Sequence, residues 1–184
     1  MPASTPPYTE AAKKSFADIA ALLGAFCFFL SALEYMVPKP LPFMRLGIAN
    51  LPILLAADLL PLPWYLALAL MKVFGMSVIS GSLFSYVALF SLAGTLSAAL
   101  VMWIARKALG RSVSAVGVSI LGAMASNAIQ MGIASAVVFG DAVRLIAPPF
   151  LATGLVTGAL LGVFAEIFAG KSLWYARARS EAHG

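Results

Sequence analysis

Lys39-Pro40-Leu41-Pro42-Phe43-Met44-Arg45-Leu46-Gly47-Ile48-Ala49-Asn50 interrupts a chain that is otherwise almost continuously apolar. A second polar break, Ser126-Asn127-Ala128-Ile129-Gln130, lies inside another apolar stretch. Groups of this kind cost free energy in hydrocarbon and persist where they face a cavity or a partner. The two breaks mark where a site within the membrane is expected, and the apolar runs around them set the fold class.

Of 184 residues, 62% are hydrophobic and 10% charged, and the mean hydropathy is +0.98. A soluble domain of this size needs far more polar surface. The composition therefore indicates an all-α integral membrane protein with about six spans in one domain. The net charge of +5 raises the question of nucleic acid, but the basic residues form no dense patch and sit at the ends of apolar runs. They read as topology signals, and no nucleic-acid partner is expected. The one cysteine, Cys27, lies in an apolar run, so an internal disulfide is impossible.

Apolar runs at residues 16–37, 46–60, 63–79, 83–105, 113–139 and 145–169 divide the chain into a Pro-rich, mobile segment 1–15, a six-helix membrane domain 16–170, and a short basic tail 171–184. Leu46 to Leu60 rises only about 22 Å as a helix, short of a bilayer core of about 30 Å. This segment contains Pro52, and Pro61-Leu62-Pro63 separates it from the third. The second and third spans are therefore expected to be short or irregular, with any irregular backbone covered by protein. With the N-terminus in the cytoplasm, Lys13, Lys14, Arg106, Lys107, Arg111, Lys171, Arg177 and Arg179 lie inside, while Lys39, Arg45 and Arg144 lie outside. That bias places both termini on the cytoplasmic side of the plasma membrane. His183 reads as a solvated terminal residue.

Lys39, Arg45, Arg144 and Lys72 outnumber the outer acids Glu34 and Asp141, and such an excess favours an anionic or polar ligand. Arg144, at a helix end, reads as a residue that snorkels to headgroups, whereas Lys72 lies further inside and reads as functional or paired. Asn127 and Gln130 share a helix face, where ligand contact and helix–helix bonding both fit. Asn50 sits beside the Pro-rich break and belongs with the site. The expected site is thus Lys39, Arg45, Asn50, Lys72, Asn127 and Gln130.

Small residues form two stripes. Gly154, Gly158 and Gly162 in the sixth run read as internal packing; Ala17, Ala21 and Ala25 in the first offer close approach to another membrane protein. No phosphate loop, metal-binding cluster, Ser/His/Asp set or close aspartate pair is present in the sequence. No catalytic residue, cofactor or metal is therefore expected, and the chain reads as a non-enzyme that cannot power itself.

With those residues in view, the chain resembles the Gx transporter family, also described as heptaprenyl diphosphate synthase component I. That family is similar to the substrate-binding S components of energy-coupling factor (ECF) transporters. The resemblance covers about residues 16–170. It rests on Leu33-Glu34, Arg45-Leu46-Gly47-Ile48-Ala49-Asn50, Gly81-Ser82 with Tyr86, Ser91-Leu92-Ala93-Gly94, and Gly117-Val118-Ser119-Ile120-Leu121-Gly122-Ala123 running on to Asn127 and Gln130. The chain departs from the family pattern at Ser126, where histidine is usual, and at Ile129, where glycine is usual. It also departs at Arg45, where the family tends to carry lysine, and at Lys72, where it tends to carry arginine. The resemblance implies a six-helix bundle that takes a small vitamin-like or isoprenoid-related ligand from outside. It also implies docking, through the Ala17, Ala21 and Ala25 stripe, onto a transmembrane T subunit driven by two ABC ATPases. The alternative it leaves open is a non-catalytic membrane subunit of a polyprenyl diphosphate synthase.

Overall fold

Hydrocarbon offers no partner for backbone N–H and C=O groups, and a helix satisfies them within one segment. In the computed structural model, residues 7–37 and 47–183 are described, and among them there are helices and turns but no strand. The helices are α1 (Pro7–Met36), α2 (Leu51–Ala56), α3 (Leu62–Ile79), α4 (Tyr86–Leu109), α5 (Ala115–Ala134), α6 (Val143–Lys171) and α7 (Leu173–His183). Lys39 and Arg45 lie outside the described residues.

Among the described residues, four stretches are long and apolar enough to cross a bilayer: Ser15–Met36, Leu62–Ile79, Tyr86–Leu109 and the composite Ala115–Lys171. Large apolar side chains such as Phe29, Phe74, Ile104, Leu160 and Phe164 point outward and exposed, as a lipid-facing surface requires. The protein is an all-α, multi-pass membrane bundle.

Glycines show how neighbouring helices run. A Cβ on Gly154 would meet Asn127, one on Gly158 would meet Ile120 and Ala123, and one on Gly162 would meet Val116. Rising numbers on α6 match falling numbers on α5, so the two are antiparallel and in close backbone contact. The α6 stripe is internal packing, as its spacing suggested. At Gly162 the obstacle is backbone only 2.3 Å away, which cannot swing aside as a side chain can. Gly162→Ala is therefore expected to destabilise the bundle by about 1–3 kcal/mol, read from unfolding in detergent.

The second segment is the irregular one. It is a 3-10 turn, Ile48–Asn50, leading into the six-residue α2, whose residues are all buried. Pro52 sits in the first turn of α2, where its missing N–H costs nothing. The segment packs against α1, α3, α4, α5 and α6, so its short backbone is sheathed by protein. The third is an uninterrupted 18-residue helix, about 27 Å long.

The tail is more ordered than its polar sequence suggests. It forms α7, which packs Tyr175 and Ala178 into the main apolar core. Ser15 Oγ on α1 donates to Glu181 Oε2 on α7 at 3.3 Å, so the described ends of the chain lie at the same end of the bundle. At the N-terminal side, α1 begins at Pro7, within the segment expected to be mobile.

Candidate functional site

Two apolar clusters divide the interior. The larger includes Ala98 and Ala99 on α4 and Val118 on α5; the smaller includes Phe90 on α4 and Met131 and Ala134 on α5. Between them, on both helices, lies a polar layer: Thr95 on α4, and Ser126, Asn127 and Gln130 on α5, all buried. Lys72 of α3 enters the same layer and is only 3% exposed, so its ammonium does not snorkel to a headgroup.

The layer is built from α1 outward. Glu34, 2% exposed, accepts from the backbone N–H of Gly47 through Oε1 and of Ala49 through Oε2, both at 3.3 Å. Gly47 has φ 80°, a left-handed conformation that favours glycine, and it starts the turn. The Cys27 thiol donates to the Ala49 carbonyl at 3.7 Å. These contacts pin the turn to α1 and fix Asn50. Lys72 Nζ then donates to Asn50 Oδ1 at 2.5 Å and to Thr95 Oγ1 at 3.2 Å. A buried ammonium demands such acceptors, since an uncompensated charge in this setting costs several kcal/mol.

On α5, Gln130 Nε2 donates to Ser126 Oγ at 2.9 Å, while Gln130 Oε1 is buried with no hydrogen-bond donor among the described residues. Asn127 Nδ2 donates to the Phe150 carbonyl of α6 at 3.0 Å, so this amide does join helices. Neighbouring helices give both amides room. A Cβ on Gly94 would stand 2.3 Å from Gln130 Nε2, and one on Gly154 would stand 2.0 Å from Asn127 Nδ2.

Asn50, Lys72, Asn127 and Gln130 line one cavity of about 20 Å³, together with Gly47, Thr95, Ser126 and Gly154. That volume holds about one water. Four of the six residues expected at the site thus converge, and the other two, Lys39 and Arg45, lie outside the described residues. Arg144 is remote from the cavity, exposed and paired with Asp141 at 3.3 Å. Thr95 and the structural part of Glu34 escaped the sequence reading. A threonine commonly satisfies itself within a membrane helix, and a glutamate at a helix end looks like a solvated charge.

What the layer offers chemically is a buried cation, an unsatisfied amide oxygen and walls of small residues. It suits a polar small molecule that brings an acceptor for Lys72 and an N–H or O–H donor for Gln130 Oε1.

At the opposite side of the larger cluster, the Arg106 guanidinium of α4 pairs with Asp58 at 3.1 Å and donates to the Val113 carbonyl at 3.0 Å. The Tyr175 hydroxyl of α7 donates to Asp58 at 3.3 Å. This network ties α7 to the end of the second segment.

No curated protein and no solved structure matches the chain. The family model for heptaprenyl diphosphate synthase component I matches residues 23–168, a stretch that takes in Glu34, the polar layer and the helices that carry it. The chain belongs to that family.

Proposed function

We propose that this protein is the ligand-capturing membrane (S) component of an ECF-type importer, binding a small polar, preferably anionic, ligand from outside the cell. The observation that carries the reading is the convergence of Lys72, Asn50, Asn127 and Gln130 on one buried cavity walled by small residues. Lys72 meets the ligand's acceptor or anionic group, Gln130 Oε1 takes a donor, and Arg45 and Lys39 add positive charge from the outer segment. A ligand larger than water needs the cavity widened, and Gly47 and Gly154 leave backbone rather than bulky side chains at its boundary. The chain acts as a binder without catalysis. Both termini are cytoplasmic, on the charge asymmetry already given.

The proposed partners are a T subunit and two ABC ATPases. The helix-one stripe supports docking there: Ala21 and Ala25 are exposed, Ala17 is half-buried, and bulkier Leu22 and Phe29 flank them on the outer surface. Ala21→Trp is expected to abolish assembly with the T subunit while leaving ligand affinity within about twofold, because bulk blocks close helix approach. Normal assembly of that variant, or parallel loss of folding and binding, refutes the docking surface.

A second reading follows from the family's description: a non-catalytic membrane subunit of a polyprenyl diphosphate synthase, holding an isoprenoid for a soluble partner. Copurification separates the two. ABC ATPases with a T subunit support the importer, and a soluble prenyltransferase supports the synthase subunit. Mass spectrometry of the small molecule retained by the purified chain identifies the ligand in either case.

A further inference from the structure

At the end of the bundle where Ser15 meets Glu181, a groove of about 540 Å³ runs between α1 and α7. Its floor is apolar, with Ile19 and Leu22 from α1 and Trp174 from α7, and its charged groups are Asp18, Arg177 and Glu181. Asp18 is exposed on α1, one turn before a Leu22 that is 53% exposed. A carboxylate beside exposed apolar side chains is stabilised when a cation meets it. Yet among the described residues neither Asp18 nor Arg177 forms an ion pair, and Glu181 takes only the Ser15 hydroxyl. Among the described residues the groove therefore offers charges of both signs without ion pairs, over an apolar floor that includes a tryptophan.

We propose that this groove is a binding site for a phospholipid whose headgroup carries both a phosphate and a primary ammonium. The phosphate accepts from the Arg177 guanidinium, the ammonium donates to Asp18 and Glu181, and an acyl chain covers Ile19 and Leu22. Among the described lining residues, two carboxylates against one guanidinium disfavour a headgroup with negative charge alone. A choline headgroup has no N–H to donate, so it satisfies Arg177 and leaves both acids unmet. The site is separate from the polar layer, and the proposal does not depend on the importer reading.

The test compares dioleoyl phosphatidylethanolamine, phosphatidylcholine and phosphatidylglycerol on the full-length protein, reading retained lipid by native mass spectrometry and melting temperature in nanodiscs. Phosphatidylethanolamine is expected to be retained about five- to tenfold more strongly than phosphatidylcholine, as two charge-assisted contacts at a partly screened site allow. Asp18→Asn should erase that preference, while Arg177→Gln should weaken retention of both lipids. Both side chains are exposed, so the variants are expected to fold. Equal retention of the two lipids overturns the proposal, as does an unchanged preference in Asp18→Asn or a stronger signal from phosphatidylglycerol. Photo-crosslinks from position 174 to a copurified protein instead of lipid overturn it as well.

Discussion

Lys72→Ala is expected to weaken ligand binding by well over tenfold. Removing one partner of a buried charge-assisted contact costs about 2–5 kcal/mol, and each 1.4 kcal/mol is tenfold in affinity. Lys72 is 3% exposed and its ammonium bonds the Asn50 and Thr95 side chains, so its loss also leaves those two oxygens without this donor. Lys72→Met separates the two effects by keeping most of the side-chain volume. Gln130→Leu should cost less, about 1–3 kcal/mol, as expected when a ligand donor is left without its neutral acceptor. The measurement is affinity for the copurifying ligand in nanodiscs, with a melting curve beside it. If the Lys72 and Gln130 variants fold normally and bind like the parent, the polar layer is helix bonding and the ligand sits elsewhere.

Breaking the Arg106 network is expected to produce the largest loss of stability. Asp58 and Arg106 side chains are each only 15% exposed, and removing one member leaves the other's charge poorly compensated. Arg106→Ala should destabilise the bundle by about 3 kcal/mol, the lower end for a buried pair because some solvent reaches this one. It also strips the Val113 carbonyl of its donor. Replacing both partners, Asp58→Leu with Arg106→Leu, should recover much of the loss, since two apolar groups leave no charge unmet. Unfolding in detergent distinguishes these outcomes. A single variant as stable as the parent would show that the pair contributes nothing. The same network makes a pH prediction. Burial, and next the adjacent Asp58 carboxylate, push the Tyr175 phenol above its ordinary range. A group whose folded pKa is raised contributes stability below its unfolded value, about 10 for tyrosine, and loses it as pH climbs further. Unfolding free energy should therefore be insensitive to this group at neutral pH and fall above about pH 10, and Tyr175→Phe should remove that fall.

Much of the polar layer was readable because polar residues are rare in this chain. Asn50, Lys72, Asn127 and Gln130 stood out against apolar runs, and the burial of the last three beside a half-buried Asn50 follows from the cost of placing them in lipid. The part played by Glu34 did not stand out. Its carboxylate lies at a helix end, and only the fold shows it binding the Gly47 and Ala49 N–H groups 13 and 15 residues away. The split roles of the α5 amides were equally hidden. They share one face, yet Asn127 reaches α6 while Gln130 turns toward Gly94 of α4. The polar tail was misleading for a related reason. Its apolar content is low, but Tyr175 and Ala178 fall on one side of a helix and find a surface to bury against.

The sequence by itself determined the class, the apolar helices and the residues that hydrocarbon would not tolerate alone, because these depend on local hydrophobicity and backbone satisfaction within one segment. It also marked α6 for close internal packing, through glycines every four residues, while the structure supplied α5 as the partner. The tertiary structure alone decided that the second segment is threaded through the middle of the bundle, that Lys72 meets Asn50 and Thr95, and that α7 is fastened to Asp58. Those outcomes depend on the rotation and register of one helix against another. Small differences among packing, hydrogen bonds and desolvation between distant parts of the chain set that register, and no single segment encodes it.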